Sequence, residues 1–196
     1  MSGSFRITQG FPDAERPTAA RLFWQAFSGK LGTLMAPEDK ALRFLERVIN
    51  PDFALGALSP DGRLAGLAGF KTEEGAMIGG SLGDMTAIYG PIGGTWRGLL
   101  LEVLERNTEP DCLLMDGIIV AEDARGKGLG RALLDAMCDE ARRRGLSRVR
   151  LDVIDSNPRA RALYERAGFV AISEEKTEIF EVLFGFASAT RMERVV

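Results

Sequence analysis

The 196-residue chain contains no histidine. Serine–histidine–aspartate triads, cysteine–histidine dyads and histidine-ligated metals are thereby excluded. It has two cysteines, Cys112 and Cys138, and neither their number nor their spacing suggests a disulfide framework or a zinc site. The first is expected at the start of a buried strand and the second on a core-facing helix, both as reduced thiols of a cytoplasmic protein. No apolar run approaches membrane-spanning length; even Leu113–Val120 is broken by Asp116 and Gly117. Arg6, Asp13, Glu15 and Arg16 punctuate residues 1–20, so no secretory signal is read there. A basic excess is also missing. Lysine and arginine total 25 against 28 acidic residues, a net charge of −3, which argues against a general nucleic-acid binder.

What is present suits one α/β domain over residues 1–196. Apolar residues make up 45% and charged residues 27%, enough to fill a core. Phe5–Thr8 reads as a first short strand. Glu15–Phe27 carries Ala19, Leu22, Phe23, Ala26 and Phe27 at helical spacing. Pro37 opens a second helix, which Asn50-Pro51 ends. Phe53–Leu58 and Leu64–Phe70 flank the turn Ser59-Pro60-Asp61-Gly62 and predict an antiparallel hairpin. The segment 71–111 exceeds a plain connection and reads as an insertion. Within it, Glu73–Gly83 looks like a mobile glycine-rich loop, Leu82–Tyr89 is ambiguous, and a helix carries Trp96 and runs to about Asn107. A strand Cys112–Val120, a helix from Leu129, a strand Arg148–Ile154 and a helix Pro158–Ala167 follow. Val170–Ser173 and Ala187–Val195 are read as closing strands, and Glu178–Phe186 is left unassigned. This alternation gives an α/β fold.

The most informative stretch is Arg125-Gly126-Lys127-Gly128-Leu129-Gly130-Arg131, between a buried strand and an amphipathic helix. A helix start presents unpaired N–H groups and partial positive charge. Glycines let that backbone approach a bulky anion, and Arg125, Lys127 and Arg131 add charge. The combination suits a phosphate or pyrophosphate. A P-loop is excluded, because Gly128 follows Lys127 where serine or threonine is needed. A dinucleotide fingerprint is excluded by the spacing Gly126, Gly128, Gly130.

Arg125, Gly128 and Gly130 fill the pattern Arg-x-x-Gly-x-Gly, with Val120 five residues before Arg125. Further on come Asn157 and a helix ending in Tyr164-Glu165-Arg166-Ala167-Gly168-Phe169. These blocks, in this order, resemble the GNAT N-acetyltransferase superfamily over about Leu113–Val170. The resemblance implies a mixed, mostly antiparallel sheet flanked by helices and splayed between its fourth and fifth strands. It implies acetyl-coenzyme A in the gap as cosubstrate, and no metal. The backbone of Ile118, Ile119 and Val120 would pair with the pantetheine arm. The amides of Gly126, Lys127, Gly128, Leu129, Gly130 and Arg131, beside Arg125, would cradle the pyrophosphate, and Tyr164 would lie near the sulfur. The acceptor would be a small-molecule or peptide amine, with no nucleic-acid or membrane partner; a homodimer is compatible with the resemblance.

Each role has an ordinary structural counterpart. Asn157 is a good N-cap before proline as well as a cofactor contact. Tyr164 falls on an apolar helix face beside Ala160, Leu163 and Ala167, where a core tyrosine is usual; the resemblance favours a catalytic acid. A tyrosine hydroxyl, with a reference pKa of about 10, stays protonated and can donate to a departing thiolate. Asp116 is a carboxylate inside the most apolar strand, on the face of Ile118 and Val120 by strict alternation, and is the first candidate for general base. An ion pair is its alternative. Glu73, Glu74 and Asp84 are read as exposed, and Arg142-Arg143-Arg144 as a dipole-favoured helix end. The function expected is direct acetyl transfer to an amine in a ternary complex. A non-catalytic acyl-coenzyme A-binding or sensing module on the same fold is the alternative.

Overall fold

The computed structural model describes residues 4–103, 108–176 and 188–196. Its centre is one mixed sheet in the order β1-β2-β3-β5-β6-β8-β7, with β4 paired to β3. The strands are β1 (Arg6–Gln9), β2 (Ala54–Leu58), β3 (Leu64–Thr72), β4 (Gly75–Ala76), β5 (Cys112–Val120), β6 (Arg148–Ile154), β7 (Val170–Lys176) and β8 (Ser188–Val195). All neighbours run antiparallel except β5 and β6, which are parallel. The two-residue β4 shifts the count, so the fourth and fifth strands expected from the sequence are β5 and β6.

The helices are α1 (Arg16–Met35), α2 (Glu38–Val48), α3 (Leu82–Tyr89), α4 (Pro91–Val103), α5 (Leu129–Arg143) and α6 (Pro158–Arg166). They cover the sheet from two sides. Ala19, Ala20, Phe23 and Trp24 of α1 join Ala41, Phe44 and Leu45 of α2 and Leu67 and Ile119 of the sheet in one buried cluster. Leu129, Leu133, Leu134, Met137 and Cys138 of α5 meet Leu113, Met115, Val149, Leu151 and Val153 in the other. A buried aliphatic side chain contributes about 1.5–3 kcal/mol, so these faces fix where α5 begins. Both cysteines are buried, as expected.

Three readings change. The first helix runs on to Met35, well past Phe27. Its end is held from outside: the Tyr89 hydroxyl donates to the Met35 carbonyl at 2.6 Å, and Arg97 donates to Leu34 and Ala36 at 2.7 and 3.3 Å. The ambiguous Leu82–Tyr89 is helix α3, opened by a capping box between Ser81 and Asp84. Hydrogen bonds from Ser81 and Arg47 hold the Asp84 carboxyl down at about 2. The stretch read as a mobile loop contains β4, which pairs Thr72 with Gly75 and Lys71 with Ala76. Glu178–Phe186 lies outside the described residues, as does the end of the helix read to Asn107.

Candidate active site

Strand β5 is paired along most of its length on one side only. Toward β3 it is matched from Leu114 to Val120, with one register shift. Toward β6 it is matched only at Cys112, Leu113 and Leu114, opposite Arg148, Val149 and Arg150. Beyond Leu114 the two strands part, and among the described residues the β6-facing backbone groups of Met115–Val120 have no strand partner. Exposed strand edges accept an extended ligand by backbone hydrogen bonds.

At the open end the chain turns through a 3-10 turn, Glu122–Ala124, into Arg125–Gly128 and then α5. Gly128 is the N-cap residue of α5, with φ +79°, and no side chain caps the helix. Gly126 has φ +76°, and a Cβ at either glycine would meet nothing within 4 Å. Their backbone angles therefore demand glycine while the space before them stays open. The first turn of α5 carries no acidic residue, so its amides face that space with their partial charge unopposed.

Helix α6 forms the opposite wall. Asn157 caps it, its side-chain oxygen accepting from the Ala160 amide at 3.1 Å. Arg131 ties the walls together, donating to the Arg166 carbonyl at 2.9 Å and pairing with Asp135 at 2.8 Å. Between them lies a cavity of about 590 Å³. Tyr164 is 6% exposed and lines it. Among the described residues its hydroxyl has no hydrogen-bond partner, and burial pushes its pKa up to about 12. The hydroxyl is therefore a protonated donor with no partner of its own.

The cavity gathers Ile118, Ile119, Val120, Arg125, Gly126, Gly128, Leu129, Gly130, Arg131, Asn157 and Tyr164 from the sequence-predicted set. Two members of that set stand apart. The Lys127 ammonium lies 5.7 Å from the Phe5 ring centroid, and its residue is not part of the lining. Asp116 also lies outside the lining, because the strict alternation that would place it with Ile118 and Val120 is broken. Leu113 and Met115 pack on the α5 side, and that face resumes at Ile118 and Val120. The pairing shifts between Gly69 opposite Gly117 and Phe70 opposite Met115. An extra residue in a bulge breaks the period of two. A Cβ on Gly117 would come within 2.7 Å of the Phe27 ring on the α1 side.

Sequence reasoning missed Ala26, Arg159 and Arg166, which also line the cavity. The helical phase of α6 brings Arg159 and Arg166 beside Ala160 and Leu163 and could have found them. Ala26 comes from α1, and nothing local signals it. Neither cysteine is in the lining, and burial raises both thiols above their ordinary value. A thiolate nucleophile is disfavoured at both.

A model of the Acetyltransferase (GNAT) family matches residues 17–169. No curated protein matches the chain. Among solved structures, an N-acetyltransferase from Staphylococcus aureus Mu50 superposes with a TM-score of 0.71 at 17% identity, covering 96% of this chain and 100% of that one. The ribosomal-protein-S18-alanine N-acetyltransferase from Escherichia coli gives 0.56 at 18% identity, covering 98% and 94%. A GNAT superfamily phosphinothricin acetyltransferase from Sinorhizobium meliloti, in complex with acetyl-coenzyme A, gives 0.59 at 16% identity, covering 100% and 89%. These similarities reach across the opened sheet as well as the glycine-rich turn, and the chain belongs to the GNAT acetyltransferase family.

Proposed function

We propose that the protein transfers an acetyl group from acetyl-coenzyme A to a primary amine, by direct attack within a ternary complex. The observation that carries this reading is the half-strand of β5 released from β6, facing a partnerless Tyr164 hydroxyl, with the bare α5 N-terminus at one end. The residues fit the coenzyme. Free backbone groups at Ile118–Val120 suit the amides of a pantetheine arm, and the open glycine turn suits a pyrophosphate.

In this reading an amide of Ile118–Val120 stabilises the oxyanion that forms as the amine attacks. The carbon–sulfur bond breaks and the thiolate leaves beside Tyr164. A phenol near 12 is a weaker acid than a thiol of ordinary pKa about 8.5. Tyr164 therefore donates a hydrogen bond to the sulfur rather than surrendering its proton outright. The acceptor amine must lose one proton before attack and another after it. We assign Asp116 as the base that takes each proton in turn and passes it to solvent, from which the departing thiolate takes up one: it is half-buried in the splayed part of β5, and a bulge re-aims a side chain relative to the regular faces. The acceptor would approach from the α1 side, where α3 of the segment 71–111 packs against α1 and α2 and Arg97 of α4 reaches the end of α1. One observation favours a second reading, the non-catalytic acyl-coenzyme A module: no carboxylate lines the cavity among the described residues.

An amine-panel assay with acetyl-coenzyme A separates the two. Tyr164→Phe and Asp116→Asn should each lower turnover about a hundredfold, with coenzyme affinity changed by less than about threefold. Turnover unaltered in either variant removes that residue from the mechanism. Coenzyme binding without transfer to any amine supports the non-catalytic module.

A further inference from the structure

Many described arginines end on a carboxylate: Arg16 on Asp13, Arg47 on Asp84, Arg144 on Glu140 and Glu74, Arg161 on Glu165. Three arginines lining the cavity do not. Arg125 gives its Nε to the Val120 carbonyl, and the guanidinium groups of Arg159 and Arg166 have no hydrogen bond or ion pair among the described residues.

Exposure alone accounts for an unpaired arginine at the end of α6, where the helix dipole favours a cation. That is the position of Arg166. Arg159 is exposed as well, but its place on the helix is the opposite one. Asn157 is the N-cap and Pro158 opens the helix, so Arg159 sits in the first turn, where the dipole opposes positive charge. No acidic residue in that turn offsets it. Two residues on, Arg161 is paired with Glu165 at 3.0 Å. Local conflicts of this kind are expected at functional sites. The cavity in front of Arg159 is therefore suited to an anion.

The coenzyme carries two separate anionic groups. Its pyrophosphate is matched by the α5 amides and the glycine turn. Its ribose 3′-phosphate is a monoester of charge near −2 at neutral pH, a second anion for which the cavity needs a further cation. We propose that Arg159 binds this 3′-phosphate. Arg166, seven residues on and on the same helix face, adds to the positive field. The cavity then selects the 3′-phosphorylated coenzyme over its dephospho form. The inference rests on the acyl-coenzyme A reading above.

The test is calorimetric titration of the full chain with coenzyme A and with 3′-dephospho-coenzyme A, for the parent, Arg159→Ala and Arg161→Ala. A charge-assisted arginine–phosphate contact strengthens binding roughly tenfold or more. The parent should show that preference for coenzyme A. Arg159→Ala should lose it by weakening coenzyme A alone, and Arg161→Ala should keep it. A parent that binds both forms alike, or an Arg159→Ala variant that weakens both alike, overturns the inference while leaving the coenzyme reading intact. A folded parent that binds neither form overturns the coenzyme reading and the inference with it.

Discussion

Strand β5 is matched to β3 from Leu114 to Val120 but to β6 at only three residues. On the β3 side the backbone donors and acceptors of β5 are consumed by the sheet. On the β6 side they are released into a cavity bounded by α6 and the glycine turn. One strand thus serves as both scaffold and binding edge. Buried backbone groups rarely stay unpaired, so an opened sheet of this kind points to a ligand that completes it. The same contrast separates the two ends of the molecule. At the cavity the N-terminus of α5 is left without a side-chain cap, whereas on the other side Ser81 and Asp84 close the start of α3 and the Tyr89 and Arg97 side chains hold the end of α1.

The largest effect is expected from closing the binding edge at its anion end. Gly128→Asp puts a side chain and a negative charge at φ +79°, before the open space at the α5 N-terminus. Acetyl-coenzyme A affinity should fall by at least about a hundredfold in calorimetry, since a lost charge-assisted contact and a new repulsion add. Retained binding would remove the turn from the ligand site.

Arg97→Ala tests the opposite region. Arg97 caps α1 from α4 and lies 4.6 Å from the Tyr89 ring and 4.3 Å from the Trp96 ring. Its loss should cost about 1–2 kcal/mol in chemical denaturation, with coenzyme affinity nearly unchanged. An equal loss of coenzyme binding would show that the two regions are not independent.

The smallest effect sharpens the comparison within the turn itself. Lys127 points its ammonium toward Phe5 rather than into the cavity. Lys127→Ala should therefore change coenzyme affinity by less than about threefold. A tenfold loss would mean that the lysine swings inward on binding.

Much of the cavity was legible because its signals are local. Gly126 and Gly128 need positive φ, Asn157-Pro158 starts a helix, and an apolar period places α5 on the sheet. The Ser81/Asp84 capping box was also written in the chain. It was overshadowed by the surrounding glycines, and the exposed reading of Asp84 missed its bond to Arg47. The Arg142–Arg144 run hid a different case. Arg144 pairs with Glu140 and Glu74 and lies 4.9 Å from the Phe70 ring, joining α5 to the β3 side of the sheet. Its partner Glu74 is 70 residues away, beyond any local pattern.

By itself the sequence determined the order of elements apart from β4 and α3, the glycine turn and the family, because glycine angles, capping residues and apolar periods act within a few neighbours. Only the tertiary structure decided where β5 leaves β6, which way Lys127 points, and that Asp116 falls at a bulge. Those outcomes depend on pairing with β3, on Phe5 and on Phe27, which are distant in the chain and meet only when the sheet forms.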